Sequence, residues 1–302
     1  MNREDSNGET PLMAAIHSQP DNLEAFQLLL QKSNSVEVNQ SSNSARWTPL
    51  MSATYSGNTG IIRLLLERGD IELESKAMDG CTALALACDN CDVDTVQIFL
   101  GRGAELESLD NYGQTPLLRA VRAGNVGVVE ALLEAGCMVD LADISGRTPL
   151  SIAAEIHKKE VARALIDRGA DINSKDAEGV TPLMWFFMGM PTYRKRSVDT
   201  KDCFAFLLAQ KNVDINWKAK DGSIARSIAF RFKYFSGFYE PEFFIETLEA
   251  HSAGADAVLP KDLMVPMGVY HESSDDENYY EASEYHEFEY PISLVHTLEV
   301  FR

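Results

Sequence analysis

A chain of 302 residues with 45% hydrophobic side chains carries enough apolar material for a folded core, and its length allows one to three ordinary domains. Its formal net charge of −19 leaves no basic surface of the kind nonspecific nucleic-acid binding requires. No apolar run approaches the ~18–20 residues that span a bilayer, and the polar, acidic opening Met1-Asn-Arg-Glu-Asp5 does not read as a signal peptide. Five cysteines, an odd number without a small secreted framework, are expected to be reduced, which points to an intracellular chain, cytoplasmic or nuclear.

In chain order, the first recognisable phrase is Gly8-Glu9-Thr10-Pro11-Leu12, followed by an apolar helix around Ala25-Phe26 and Leu29-Leu30 that is expected to end near Ser33-Asn34. Thr48-Pro49-Leu50 repeats the phrase, with Ile61-Ile62 and Leu65-Leu66 as its second helix. From there the interval settles: Thr82-Ala83-Leu84, Thr115-Pro116-Leu117, Thr148-Pro149-Leu150 and Thr181-Pro182-Leu183 follow one another every 33 residues. A turn glycine stands two residues before each of these four threonines, at Gly80, Gly113, Gly146 and Gly179. Thr offers a hydroxyl to an unpaired N–H of the first helical turn, and Pro suits the first helical position, so Thr-Pro predicts the start of a short inner helix. Val128-Val129 and Leu132-Leu133 form one apolar stripe on a second helix. Gly69, Gly103, Gly136 and Gly169, each three residues past such a stripe, are expected to act as left-handed C-caps. Asp143-Ile-Ser-Gly146 and Asp176-Ala-Glu-Gly179 read as turn tips.

The sixth unit is stretched. Its second helix reappears late, at Cys203-Phe204 and Leu207-Leu208, after an insert near 191–199 that carries Arg194-Lys195-Arg196. The seventh is degenerate, with Asp221-Gly222, Ile224 to Ala229, and a second helix opening at Pro241 and running through Phe244, Ile245 and Leu248. Beyond Pro260 the phrase is absent. Residues 261–302 hold ten acids against Lys261 and Arg302, and Ser273-Ser-Asp-Asp-Glu277 followed by tyrosines and glutamates reads as a disordered acidic tail.

The 33-residue interval, the Thr-Pro-Leu phrase and the paired apolar stripes resemble the ankyrin-repeat family. That resemblance implies an all-α solenoid of about seven repeats over residues 1–258, paired helices joined by short β-hairpin turns, followed by the tail at 259–302. One unit cannot bury its apolar face alone, so neighbours stack and leave a concave side. The function implied is a scaffold or adaptor that binds a protein partner in that groove, as a monomer, with no nucleic acid and no membrane. The competing reading is a regulatory or inhibitory protein in which the acidic tail modulates or mediates binding. Repeats ahead of an acidic segment are also the layout of the inhibitor-of-NF-κB type proteins.

The family's variable positions, at the tips and at the ends of the inner helices, map here to Trp47, Tyr55, Met78, Tyr112, Arg122, Ile144, Arg147 and Ile156. Aromatic and Arg side chains are the types enriched at binding hot spots. Ser273 and Ser274, each with an acid three residues on, match an acidophilic-kinase pattern. Nothing carries catalysis. Cys88-Asp-Asn-Cys91 is a C-x-x-C without a second pair or a paired His, and Cys88 occupies a small buried position. Six scattered histidines form no nucleophile–base pattern, and no phosphate-binding glycine loop occurs, so neither an enzyme nor a cofactor is expected.

Overall fold

A computed structural model of the chain describes residues 9–18, 23–32, 37–42, 45–90, 92–189, 198–235 and 241–252. Gly8, Asn34, Cys91, the Arg194-Lys195-Arg196 cluster, and the acidic tail with Ser273 and Ser274 lie outside the described residues.

Fourteen helices and no strand occur among the described residues. They pair in sequence order. The inner helices are α1 (Pro11–Ser18), α3 (Pro49–Tyr55), α5 (Ala83–Asn90), α7 (Pro116–Ala123), α9 (Pro149–Glu155), α11 (Pro182–Met188) and α13 (Ala225–Phe235). Each is followed by its outer partner: α2 (Leu23–Lys32), α4 (Thr59–Leu66), α6 (Val93–Gly101), α8 (Val126–Glu134), α10 (Lys159–Asp167), α12 (Val198–Leu208) and α14 (Pro241–Ser252). Inner helices stack on inner helices and most outer on outer, so the apolar stripes merge into one continuous core. Val128, Val129, Leu132 and Leu133 are all buried in it, as are Cys203, Phe204, Leu207 and Leu208 of the stretched unit.

The Thr-Pro starts behave as their chemistry requires. The hydroxyls of Thr10, Thr48, Thr82, Thr115 and Thr148 accept from the backbone N–H three residues on, at 3.2–3.3 Å. Thr181 departs from the pattern and makes no such side-chain bond, although Pro182 still opens α11. Gly103, Gly136 and Gly169 take the left-handed conformation after α6, α8 and α10. Gly69 does not: its φ is outside the left-handed region, and α4 ends instead through the backbone N–H of Glu67, donated to the carbonyls of Arg63 and Leu65.

The connections between units are tips closed by backbone bonds. At the fourth tip Asp110 N–H donates to Gln114 O at 3.1 Å and Gly113 N–H to Asp110 O at 3.0 Å. Tips also bond to one another: Met78 N–H to Ala45 O, Asn111 to Asp79, Ile144 to Tyr112, Ala177 to Ser145 and Lys220 to Glu178, all at 2.9–3.3 Å. This edge ladder fixes the stacking of adjacent units.

Within each central tip an aspartate organises the turn. Oδ1 of Asp110, Asp143 and Asp176 accepts from the backbone N–H groups two and four residues on, at 2.8–3.0 Å. Where that position is Ala77 or Ala219, Asp79 or Asp221 two residues later accepts instead, from the backbone N–H of Cys81 or from both the backbone N–H and the hydroxyl of Ser223.

Candidate functional site

Counting from the capping Thr places the candidate side chains on one face. The residues one before and seven after that Thr are neighbours in three separate units. Glu9 Oε1 lies 3.1 Å from His17 Nδ1. The rings of Trp47 and Tyr55 meet edge to face at 5.0 Å and 62°. Arg147 Nη1 lies 3.6 Å from Glu155 Oε2. The residue four after the Thr crosses to the preceding unit: Arg119 donates Nε–H to Asp89 Oδ2 at 2.9 Å, and the Arg147 guanidinium stands 5.6 Å from the Trp185 ring. These contacts make the tips and the far ends of the inner helices one surface.

Two of its arginines are structural. Arg119 bridges Asp89 of the third unit and Asp110 of its own tip, at 2.8 Å from Nη1 to Asp110 Oδ2. Asp110 is almost wholly buried, so Arg119 supplies the charge that its remaining oxygen needs. Burial pushes the Asp89 carboxyl above its usual value, and the Arg119 charge works against that. Arg147 plays the same part at the next tip. Its Nε–H donates to Asp143 Oδ2 at 3.0 Å, and only 12% of its side chain is exposed. At the sixth tip the Trp185 indole N–H donates to Asp176 Oδ2 at 3.0 Å, an uncharged substitute for the guanidinium.

The other candidates stand differently. Tyr55, Met78, Tyr112 and Ile144 are 58, 69, 62 and 73% exposed. Arg122 is exposed and makes no ion pair among the described residues. Trp47 is half-buried against the core, with its backbone N–H donated to Ser42 Oγ, and Ile156 is half-buried at the end of α9. Arg147 thus shares the face with Arg122 but not its freedom. Arg119 and Trp185 are not among the variable positions that the sequence points to. Both lie three residues, about one helical turn, before the position that picked out Arg122, and the same count finds them.

No group of three or more metal-ligating side chains occurs among the described residues. The four described cysteines, Cys81, Cys88, Cys137 and Cys203, are buried thiols. Burial raises the pKa of Cys81, and that of Cys137 to about 12, so both stay protonated and unreactive at neutral pH. No described helix is long and apolar enough to cross a membrane.

Comparison with known proteins agrees with the geometry. The family described as ankyrin repeats (3 copies) matches residues 1–77 and 70–143, and the single ankyrin repeat matches residues 145–177, together more than half of the chain. A similar protein is ankyrin repeat and SAM domain-containing protein 6 of Rattus norvegicus, 39% identical over 97 residues. That match takes in 32% of this chain and spans only 10% of the relative.

Proposed function

Because this chain belongs to the ankyrin-repeat family, whose repeats generally mediate protein–protein interaction, we propose that it is an adaptor that binds a protein partner across the face built from its tips and inner-helix ends. One observation carries the reading. Of the nine large hydrophobic side chains exposed among the described residues, five sit on this face: Tyr55, Met78, Tyr112, Ile144 and Met188. Exposed apolar side chains concentrated on one surface mark an interaction site, whereas the same residues scattered singly would need no explanation. Arg122 adds an exposed guanidinium to a face that also presents two tyrosines, the residue types that dominate measured interfaces. The domain reading, about seven repeats over 1–258 with a separate acidic segment at 259–302, belongs to the same proposal, as does a monomeric intracellular protein without catalytic activity.

The test separates binding from folding. Tyr112→Ala and Arg122→Ala, alone and combined, leave the stability within about 0.5 kcal/mol of the parent, since neither removes a buried contact. Adding Tyr55→Ala, which gives up the edge-to-face contact with Trp47, costs about 0.5–1.5 kcal/mol more. A partner identified by proximity labelling and then purified is expected to bind the triple variant at least about tenfold more weakly. Equal affinity for parent and triple variant overturns the assignment of this face.

A further inference from the structure

Seven residues after the capping Thr, the side chain is satisfied inside the molecule in the first, second, third and fifth units but not in the fourth. His17 meets Glu9, Tyr55 meets Trp47, Asp89 is held by Arg119, and Glu155 stands by Arg147. The fourth unit places Arg122 there, and the residue before its capping Thr is Gln114, which brings no charge. The acid that feels the Arg122 charge is Asp89 of the preceding unit. Burial raises the Asp89 carboxyl, and Arg119 and then Arg122 act against that. Its Oδ2 is already engaged by the Arg119 Nε–H at 2.9 Å, so Arg122 stays exposed and without an ion pair among the described residues.

A second cation is set close by, at the expense of a helix cap. The outer helices α4, α6 and α8 open on Asn58, Asp92 and Asn125, whose side chains accept from the backbone N–H three residues on at 2.8–3.2 Å. At the same place α10 opens on Lys158, which has no oxygen to offer and makes no cap bond. The missing cap costs about 1 kcal/mol, and a positive charge is unfavourable at a helix N-terminus. Lys158 lies instead against the end of α7. A Cβ on Gly124, two residues past Arg122, would meet its Cγ, Cδ and Cε at 3.1–3.6 Å. The carbonyl end of α7 favours a cation there. Lys158 is exposed and, like Arg122, makes no ion pair among the described residues.

We propose that Arg122 and Lys158 together receive an Asp or Glu side chain of the protein partner. The inference rests on the reading of this face as the binding surface and names the chemistry of one anchor on it. On a chain of net charge −19, two neighbouring cations whose nearby acids are held by other arginines are complementary to a carboxylate from outside. A guanidinium binds both carboxylate oxygens through parallel N–H donors, and an ammonium adds a point charge. A basic anchor would meet two like charges. An apolar anchor would strip water from both cations without replacing it. The partner segment is thus acidic where it crosses the inner-helix end of the fourth unit and apolar where it crosses Met78, Tyr112 and Ile144.

The test uses the full chain and short peptides selected on it from a random library. Selected peptides are expected to share an Asp or Glu next to apolar residues. Changing that acid to its amide is expected to weaken binding about 3- to 10-fold, more at low salt than at high. The doubly substituted chain Arg122→Gln, Lys158→Gln should bind the acid and amide peptides alike, and Arg122→Glu should prefer a peptide with Lys in place of the acid. Equal affinity of the acid and amide peptides for the parent, with binding still weakened by Tyr112→Ser and Ile144→Ser, overturns the acidic anchor alone. Peptides insensitive to Tyr112→Ser and Ile144→Ser as well overturn the face itself. Tighter peptide binding after the acids of residues 272–290 are changed to amides, lost again in Arg122→Gln, gives the anchor to the chain's own acidic segment and overturns the assignment to a partner.

Discussion

In the middle of the array and near its C-terminal end, the same glycine does two different jobs. Gly146 has a φ of +79°, and a Cβ placed there would lie 2.7 Å from the backbone nitrogen of Ala177 in the next tip. Gly222 has a φ of +81°, and a Cβ there meets nothing within 4 Å. Gly80 and Gly113 resemble Gly146, with backbone nitrogens at 2.8 and 2.9 Å, whereas at Gly179 the nearest atom is 3.6 Å away. The central tips press on their neighbours and the last ones do not. A repeated motif therefore fixes local backbone shape in every unit, while its share in holding units together varies along the chain.

Alanine at these two glycines measures the difference. Gly222→Ala is expected to cost about 1 kcal/mol, from the left-handed backbone alone. Gly146→Ala adds a clash with rigid backbone, for a total of about 2–4 kcal/mol by chemical denaturation. Similar losses at both sites would show that close packing of the tips contributes nothing to stacking.

Arg46 sharpens the comparison from the other side. It occupies the tip position that Gly80, Gly113 and Gly146 hold in the following units, and it adopts a φ of 55° with a full side chain. Arg46→Gly is expected to stabilise by about 0.5–1 kcal/mol, the relief of backbone strain less the entropy of a freer unfolded chain. A measured loss would mean that the Arg46 side chain holds the second tip by contacts that glycine cannot replace.

The smallest effect concerns His157, which stands where Gly57 and Gly124 serve earlier units and also has a left-handed φ, 57°. Its Nε2–H donates to the Phe186 carbonyl at 2.9 Å, which fixes the neutral tautomer and ties the fifth unit to the sixth. Burial lowers its pKa below the usual 6.5, with the Phe186 carbonyl acting the other way. The unfolded chain therefore takes up this proton first. The contribution of neutral His157 is present above pH 6.5 and is lost as pH falls through the lower folded value. Stability should decline in that window, and His157→Asn, which tolerates the backbone but does not titrate, should flatten the decline. An unchanged pH profile would assign the decline to other groups.

Much of this architecture is legible without coordinates because it depends on short-range chemistry. Thr followed by Pro starts a helix, apolar stripes choose its buried side, and a fixed 33-residue spacing brings equivalent positions into line. The same count puts Tyr55, Arg122 and Ile156 at the ends of inner helices and Met78, Tyr112 and Ile144 at the tips. Even the local exceptions have local causes, as where Asp79 stands in for the aspartate that Ala77 replaces.

Which charges remain available was decided by tertiary structure. Arg122 and Arg147 read alike in sequence, yet one is exposed while the other is held by Asp143 and Glu155. Arg119 finds Asp89 across 30 residues, and only because the fourth unit stacks on the third. The Trp47–Tyr55 contact likewise joins a residue just before α3 to the last residue of that helix. Helix starts and apolar faces follow from a few neighbouring residues. The partner of a charge or a ring follows from the distance and angle at which chain segments are brought together, within one unit for Arg147 and Trp47 and between stacked units for Arg119.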